Sequence, residues 1–399
     1  MAKPNKNILF ITHGYYPCTR LGGPIESVRL LADTLVQMGH TVTVLCTNSN
    51  LDQIYGSSSA ITTNSCNGVT VYRFPLAFKP NGSLGFMLCK GIIKFLMANG
   101  HKFDIYHIHV PFIYPSLIGA LFSRLHNKPL IYHQRGQLDP VRLSYKKLKK
   151  HLYIAFFEKS IMASSKALIA LTDKEVIDYL RIDRSFNSKV RILPNPVCLP
   201  SQLSYPTKDA DLRTDHTLKL FYLGRIHTLK GTPLLFEALS LLPDPLLSSL
   251  SVTIAGPDEQ CLIPNLFNKY PMLIRDNIKY VGHLESDAKW DLCLNSDAFI
   301  LPSWSEGLSM SMLEALVSGN LLLLSDMCKL DNLNTASLDF VKYFSLNPHS
   351  IASTIADAIN IPSGLLESQK ALARQYSEEN YHPSQVVSSL ISIYTQSLA

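Results

Sequence analysis

Short apolar runs rich in β-branched residues alternate with amphipathic stretches along the whole chain of 399 residues. This alternation is typical of parallel βαβ units and predicts an α/β fold. Val28, Leu31 and Leu35 repeat at helical spacing, so a helix is expected that begins at Pro24 and ends before Gly39. In the first half of the chain, strands are expected over 7–12, 41–47, 69–74, 104–109, 129–134, 167–172 and 190–195.

The stretch 201–217 is polar and interrupted by prolines, as expected of a linker. It separates two doubly wound regions, 1–200 and 218–380, and a last amphipathic stretch, 381–399, predicts a C-terminal helix. In such sheets, ligands bind outside the carboxyl ends of the strands. The second region repeats the alternation, with strands expected over 218–224, 251–256, 278–282, 297–302 and 320–325.

The composition is that of a globular protein, with 46% hydrophobic and 17% charged residues. The net charge of +6 suits an anionic small molecule or a membrane surface as well as nucleic acid. The eight cysteines are scattered without a Cys-x-x-Cys pair, which favours reduced thiols in a cytoplasmic protein. We see no secretory signal and no apolar run of about 18 residues, so the protein is expected to be soluble or to lie on a membrane without crossing it.

A glycine pair, Gly22-Gly23, follows the first strand and precedes the helix that Pro24 begins. Backbone N–H groups at such a helix start can bind an anion, although a glycine pair can equally be a plain loop. The pair lies too far from the strand to be the Gly-x-Gly-x-x-Gly dinucleotide turn. This spacing argues against an NAD or FAD oxidoreductase.

Two basic residues, Arg225 and Lys230, lie in "GRIHTLKG" directly after the first strand of the second region. Arginine offers a fork of donors and lysine a point charge, a combination that suits a diphosphate. Basic residues in a loop are more often simply solvated. Their position at the carboxyl end of a strand favours the anion site.

Two glutamates, Glu306 and Glu314, lie in "PSWSEGLSMSMLEALVSG". If most of the intervening chain is helical, they lie about 12 Å apart. That is farther than the roughly 5–5.5 Å of a retaining glycosidase pair, so they cannot attack one carbon together. They suit two hydroxyl-bearing ends of one elongated ligand, while the amides of Gly307, Leu308 and Ser309 open the helix and favour negative charge. Alternatively, they are a loop charge and an exposed helix residue.

Together, these motifs resemble the retaining glycosyltransferases of GT-B fold in family 4, the glycosyl transferases group 1. The family is marked by Glu-x7-Glu with an upstream Arg-x4-Lys, and both spacings occur here. The glycine pair and the "HIHVP" stretch also match. The resemblance implies two Rossmann-like domains that face a cleft, with 1–200 on the acceptor side and 218–380 binding the nucleotide sugar. It also implies that the helix in 381–399 packs back on the first domain.

The resemblance assigns roles to single residues. Arg225 and Lys230 would neutralise the diphosphate leaving group. Glu306 would contact the transferred sugar and Glu314 the ribose hydroxyls. His109 would contact the donor sugar near the reacting carbon.

Backbone groups would complete the donor site. Gly22 and Gly23 would let the first domain close on the donor, and the amides of residues 307–309 would help to hold sugar and phosphate. The neighbouring His107 is expected on the opposite face of its strand from His109.

Two further stretches concern the acceptor. "YHQRGQLDP" resembles members that build bacterial surface polysaccharides, which would place Arg135 and Asp139 near the acceptor. The stretch 142–159 has six Lys and Arg against one Glu, interleaved with apolar residues. Such a basic amphipathic helix can lie on the anionic inner leaflet, or it can pack its apolar side on its own domain.

The resemblance implies an enzyme that moves a hexosyl residue from a UDP- or GDP-linked sugar to a lipid-linked or growing surface glycan, such as O-antigen, capsule or exopolysaccharide. The anomeric configuration would be retained by front-face substitution. We expect no metal, no cofactor beyond the nucleotide-sugar substrate and no nucleic-acid partner. The alternatives are a nucleotide-sugar epimerase of the same fold and a non-catalytic scaffold that binds nucleotide sugars.

Overall fold

The chain forms two compact units in the computed structural model. Unit 1 comprises Met1–Pro196 and Pro383–Ala399, and unit 2 comprises Val197–His382. Most of the expected linker, residues 206–216, lies outside the residues that the structure describes. The described residues are 5–19, 22–50, 53–57, 59–78, 86–144, 147–205, 217–274, 278–328, 330 and 338–398.

Unit 1 is built on a sheet that, within the described residues, has eight strands in the order β10-β9-β8-β7-β1-β2-β6-β5. All neighbours are parallel except β5 and β6. A short antiparallel pair, β3 and β4, lies outside it. The strands are β1 (Asn7–Ile11), β2 (Thr41–Thr47), β3 (Ser49–Asn50), β4 (Gln53–Ile54), β5 (Thr62–Cys66), β6 (Val69–Phe74), β7 (Ile105–His109), β8 (Leu130–His133), β9 (Ala167–Ala170) and β10 (Val190–Ile192).

Helices cover both faces of this sheet, which is why its central strands are largely apolar. A π-helical turn, Ile154–Glu158, joins two of them into one continuous run. The helices of the first 196 residues are α1 (Pro24–Gln37), α2 (Ile92–Asn99), α3 (Tyr114–Leu125), α4 (Pro140–Ser144), α5 (Lys147–Tyr153), α6 (Lys159–Ser164) and α7 (Asp173–Ile182).

The last helix of the chain, α15 (Pro383–Leu398), belongs to unit 1. Its buried side chains Val387, Leu390 and Tyr394 share one hydrophobic cluster with Val28 and Leu31 of α1. The C-terminal helix therefore completes the core of the first half of the chain.

Unit 2 contains a sheet whose described strands number six, all parallel, in the order β13-β12-β11-β14-β15-β16. Its strands are β11 (Leu218–Leu223), β12 (Leu250–Ala255), β13 (Ile278–Tyr280), β14 (Ala298–Leu301), β15 (Leu321–Ser325) and β16 (Val341–Phe344). Its helices are α8 (Thr232–Ser240), α9 (Asp244–Ser248), α10 (Leu262–Lys269), α11 (Ser286–Leu294), α12 (Met310–Val317), α13 (Pro348–Ile359) and α14 (Ser363–Tyr381).

The expected α/β class with two doubly wound, Rossmann-like units is confirmed. Each expected strand is present within three residues of its expected ends, and α1 begins at Pro24 as expected. Strands β5 and β16 had not been expected, since β5 reads "TTNSC" and is largely exposed, and β16 is only half-buried. Among the described residues, no helix is long and apolar enough to cross a membrane.

Candidate active site

The loop that follows β11 carries Arg225 and Lys230 and ends in a short 3-10 turn, Thr228–Lys230. Local hydrogen bonds hold this turn in shape. The ring Nδ1 of His227 accepts from Leu229 N at 3.0 Å, and Gln260 Oε1 accepts from Thr228 N at 3.0 Å. The basic residues therefore project from an ordered loop at the carboxyl end of a parallel strand.

Gly231 lets this loop pack directly on the loop that follows β14. Its φ is +73°, and a Cβ at this position would lie 1.8 Å from the carbonyl oxygen of Pro302, so only glycine fits. The carbonyl oxygen of Leu229 accepts from Trp304 N at 3.0 Å and from Ser303 Oγ at 3.1 Å. These contacts bring the basic loop against the loop that carries the first glutamate.

As a result, Lys230 Nζ forms an ion pair with Glu306 Oε1. Both side chains are largely buried, at 18% and 6% exposed. Arg225, by contrast, is half-exposed and pairs loosely with Glu259 at 3.4 Å. One cation of the expected phosphate site is thus neutralised by the expected sugar-binding carboxylate, and the other faces solvent.

Helix α12 begins at Met310, with Ser309 in the capping position and no side chain capping its first turn. Gly307, Leu308 and Ser309 therefore lie in the loop before the helix and do not form its first turn. The separation of about 12 Å estimated for the glutamates assumed a helix between them, but the chain is helical only from Met310 onward.

The second glutamate, Glu314, is buried within α12. Its Oε1 lies 2.6 Å from Nζ of Lys289, which comes from the neighbouring helix α11. Lys289 was not predicted from the sequence, because a single lysine in a helix carries no motif that distinguishes it from a solvated one.

In unit 1, the glycine pair lies just before α1 and is exposed. Gly22 has φ +93° and donates its N–H to Thr19 O at 3.0 Å. Gly23 occupies the capping position of α1 and offers no side chain to the first turn. The two residues that precede the pair, 20 and 21, lie outside the described part of the chain.

His109 ends β7 and lies in a buried cluster of aromatic rings. Its ring centroid is 3.9 Å from that of His107, 4.5 Å from Phe10 and 5.6 Å from His133. The expectation that His107 points away from His109 was wrong, because side chains two residues apart on a strand share a face. Histidine at the ends of β7 and β8 was the signal in the sequence that could have revealed the cluster.

Ring nitrogens of His107, His109 and His133 lie within 4.8 Å of one another, close enough to raise the possibility of a metal site. All three rings are buried. Burial and the positive charge of Arg135 hold the pKa of each well below its usual value, so the rings are neutral.

Arg135 is buried in the turn that follows β8, with φ +50°. Its guanidinium donates to Ser27 Oγ at 2.7 Å, to Asn195 Oδ1 at 2.9 Å and to His109 Nδ1 at 3.0 Å. Burial lowers its pKa to about 9, while the carboxylate of Glu175 opposes this shift. The side chain expected at the acceptor is therefore bound to groups inside unit 1.

Asp139 is also engaged locally. Its Oδ1 accepts from Val141 N at 2.8 Å at the start of α4, and its Oδ2 pairs with Lys174 at 2.9 Å. An acceptor contact would have to compete with these two interactions. Of the expected site residues, the structure thus joins Lys230 to Glu306 and His109 to Arg135.

Comparisons with known proteins identify the family of this chain. Residues 22–196 match the family model of the glycosyl transferase 4-like domain, and residues 206–379 match that of the glycosyl transferases group 1. An uncharacterised glycosyltransferase of Methanocaldococcus jannaschii is 21% identical over 347 residues, which cover 84% of this chain and 85% of that protein.

Solved structures show the same fold. The crystal structure of Anabaena HepE in complex with UDP and glucose is 16% identical, with a TM-score of 0.72 over 98% of this chain and 100% of that one. WaaG, a glycosyltransferase involved in lipopolysaccharide biosynthesis, is 17% identical, with a TM-score of 0.65 over 96% and 99%. With both domain models matched in order over most of its length, the chain belongs to the glycosyltransferases of GT-B fold.

Proposed function

We propose that the protein is a retaining hexosyltransferase that uses a UDP- or GDP-linked sugar. The observation that carries the proposal is the Lys230–Glu306 ion pair, fixed by Gly231 at the carboxyl edge of the unit 2 sheet. It combines a cation for phosphate with a carboxylate for sugar hydroxyls in one place. The complex of HepE with UDP and glucose is consistent with such a donor.

The diphosphate of the donor would bind Lys230 and the exposed guanidinium of Arg225. The start of α12, without a side-chain cap, adds free N–H groups and the positive end of a helix dipole. When the phosphate takes up part of the lysine's charge, the Glu306 carboxylate becomes available to accept hydrogen bonds from the sugar. Glu314, held by Lys289, would accept from the ribose hydroxyls.

Transfer would proceed on one face of the sugar. The acceptor oxygen forms a bond to the anomeric carbon while the bond from that carbon to the diphosphate oxygen breaks. The acceptor's proton passes to the departing phosphate oxygen, and Arg225 and Lys230 stabilise the developing charge. This route keeps the anomeric configuration and asks for no metal and no cofactor.

From unit 1, Gly22, Gly23 and His109 are proposed to act on the donor, and Asp139 to lie near the acceptor. WaaG's role in lipopolysaccharide biosynthesis makes a lipid-linked or growing surface glycan the acceptor that we propose. Such an acceptor would place the protein on the cytoplasmic face of the inner membrane.

The surface of unit 1 supports a membrane partner. The run of α5, the π turn and α6 exposes apolar side chains four residues apart, and so do α2 and α3. Arg124 of α3 donates to Ser160 O at 2.6 Å, and His126 donates to Leu96 O at 3.2 Å, so the three elements are neighbours. This three-helix face comprises Ile93, Met97, Leu121, Leu125, Leu148, Leu152 and Phe156.

Charge makes this face complementary to anionic lipid. Residues 86–165 contain twelve Lys and Arg but three acids, a net +9 that exceeds the +6 of the whole chain. Two of the acids, Asp139 and Glu158, and one of the bases, Arg135, are buried, and Asp104 accepts from Asn7 N at 2.8 Å. Basic side chains around exposed apolar ones are typical of surfaces that lie on anionic membranes.

Donor binding tests the proposal first. UDP, GDP, ADP and their hexose conjugates are added to the wild type and to Lys230→Ala, and the thermal unfolding temperature is measured. One nucleotide series should stabilise the wild type, and the effect should vanish in Lys230→Ala but persist in Lys269→Ala, which alters an exposed lysine of the same unit. Equal stabilisation of Lys230→Ala would refute the phosphate role.

Turnover then separates the alternatives. A transferase releases nucleotide and forms a glycosylated acceptor, whose anomeric configuration NMR spectroscopy identifies. An epimerase would convert the free nucleotide sugar without acceptor, and a scaffold would bind it unchanged. An inverted product would contradict the retaining mechanism.

The membrane partner is tested by sedimentation with vesicles of neutral lipid and of neutral lipid mixed with phosphatidylglycerol. The protein should bind the anionic vesicles, and added salt should weaken binding. Leu148→Ser/Phe156→Ser and Leu121→Ser/Leu125→Ser should each reduce it at least fivefold, whereas Leu365→Ser/Leu372→Ser on α14 should not. Equal binding by all variants would exclude the three-helix face.

A further inference from the structure

The guanidinium of Arg135 and the imidazole of His109 share a hydrogen bond inside unit 1. Nη2 and Nε of Arg135 lie 3.0 Å and 3.3 Å from the same atom, Nδ1 of His109. Arginine has five N–H donors and no acceptor. Nδ1 of His109 must therefore present its lone pair to the guanidinium.

This contact decides where His109 carries its proton. A proton on Nδ1 would point at the guanidinium and break the bond, and the positive charge of Arg135 opposes a second proton on the ring. The neutral ring therefore holds its single proton on Nε2. His109 then offers an N–H donor at Nε2 and no free lone pair.

The Nε2–H group has no hydrogen-bond acceptor in the described part of the chain, although Nε2 is buried. Of the rings that flank it, His107 stacks against His109 and Phe10 meets it edge to face, and neither offers Nε2 a hydrogen bond. Buried N–H groups without a partner are rare and costly in native proteins. An unpaired donor at the carboxyl end of β7 suits an oxygen supplied by a ligand.

We propose that Arg135 is a positioning residue that fixes His109 as an Nε2–H donor to a hydroxyl oxygen of the transferred sugar. The sugar itself rests on the proposed function. In this state His109 cannot accept a proton as a general base. Nor can it bind a metal together with His107 and His133, since its lone pair is occupied and a guanidinium lies beside it. Arg135 thus acts on the donor sugar through His109, whereas the sequence motif placed it near the acceptor.

Nitrogen NMR tests the tautomer in the full-length protein. Long-range ¹H–¹⁵N spectra of protein labelled with [¹⁵N]histidine separate protonated from unprotonated ring nitrogens, and the signals of His109 are those lost in His109→Gln. In the wild type, Nδ1 should be unprotonated and Nε2 protonated. Arg135→Met should mix the tautomers, Arg135→Lys should largely restore the wild-type pattern, and Ser27→Ala should leave it unchanged. A wild-type proton on Nδ1 would overturn the proposal.

Kinetics test whether Nε2–H of His109 acts as a hydrogen-bond donor to the sugar. Glutamine can place an amide N–H near the position of Nε2 but cannot act as a base, and leucine can do neither. We expect kcat/KM of His109→Gln to stay within tenfold of the wild type and that of His109→Leu to fall at least 100-fold. Equal losses of kcat/KM in both variants would refute the role of His109 as a hydrogen-bond donor. If the wild type neither binds nucleotides nor transfers sugar, the proposed function fails, whereas the spectra still decide the tautomer.

Discussion

Lys289 Nζ lies 2.6 Å from Glu314 Oε1. Helix α11, which carries none of the motifs found in the sequence, therefore supplies the counterion of Glu314. The carboxylate is buried and the ammonium is about one-fifth exposed. An ion pair of this kind favours the charged carboxylate and fixes the direction of one of its oxygens. In the proposed function, in which Glu314 accepts hydrogen bonds from the ribose, Lys289 therefore couples nucleotide binding to local stability.

Lys289→Met should weaken both properties. A buried carboxylate without its partner costs about 3 kcal/mol, so the unfolding temperature should fall, and the KM for the donor should rise. The double variant Lys289→Met/Glu314→Met should recover much of the stability, since no charge is left unpaired, but should not recover donor binding. Recovery of both would mean that Glu314 does not bind the ribose, and an unchanged unfolding temperature in Lys289→Met would mean that the pair stabilises nothing.

Gly231→Ala should damage the loop that carries Arg225 and Lys230 more than the backbone angle of Gly231 alone explains. A left-handed φ costs a non-glycine residue about 1–2 kcal/mol, and Gly231→Ala adds a clash with the carbonyl oxygen of Pro302. Gly282→Ala is the matched control, because Gly282 has φ +75° in the same unit and nothing within 4 Å of the added Cβ.

The comparison of these two variants isolates the contact between the loops. Calorimetric titration with the stabilising nucleotide should show at least tenfold weaker binding for Gly231→Ala, about 1.4 kcal/mol, and little change for Gly282→Ala. Similar affinities for the two would show that the packing of Gly231 against Pro302 does not position Lys230.

Much of the fold follows from local patterns in the sequence. The strands of both sheets that are buried on two faces are rich in Val, Ile and Leu, and α1 is bounded by Pro24 and Gly39, whose conformations suit a helix start and stop. The edge strand β5 was missed because its sequence is polar, and only pairing with β6 holds it extended. Edge strands lack the hydrophobic signal that burial imposes.

The candidate site, like the fold, could be predicted from the sequence only in part. Motif spacing predicted Lys230 and Glu306, but their ion pair depends on Gly231 meeting Pro302, a contact between segments some seventy residues apart. The bond from Arg135 to His109 likewise joins two strand ends. Such partners are set by tertiary packing, and no local pattern identifies them.

The hydroxyl of Tyr394 lies 2.7 Å from Nδ1 of His107, so α15 reaches the histidine cluster. Tyr394→Phe would leave that buried nitrogen without a partner, at a cost of about 1–3 kcal/mol. We expect faster amide hydrogen exchange in β7, measured by mass spectrometry on the native protein. Tyr280→Phe, which removes a hydroxyl bonded to Gly256 O in unit 2, should leave exchange in β7 unchanged. Unaltered exchange in Tyr394→Phe would mean that the bond does not stabilise unit 1.

Glu175 should make the stability of unit 1 fall as the pH rises. Burial raises the pKa of this carboxyl from 4.5 to about 7, so the folded state binds its proton more tightly than the unfolded state. The resulting stabilisation is complete below pH 4.5 and is lost as the pH rises through 7, which amounts to about 2 kcal/mol between pH 5.5 and 8. The buried histidines act in the opposite direction, because their lowered pKa values destabilise the fold as the pH falls below 6.5.

The variant Glu175→Gln separates the two effects, since the histidine contribution is common to both proteins and cancels in the difference. Stability is measured from the slowest-exchanging amides of β8 and β9 at pH 5.5 and 8, with Glu367→Gln on the exposed side of α14 as control. From pH 8 to 5.5, the wild type should gain about 2 kcal/mol relative to Glu175→Gln and nothing relative to Glu367→Gln. A difference that does not vary with pH would mean that Glu175 is ionised in the folded protein, and Arg135 would then have a fully charged carboxylate beside it.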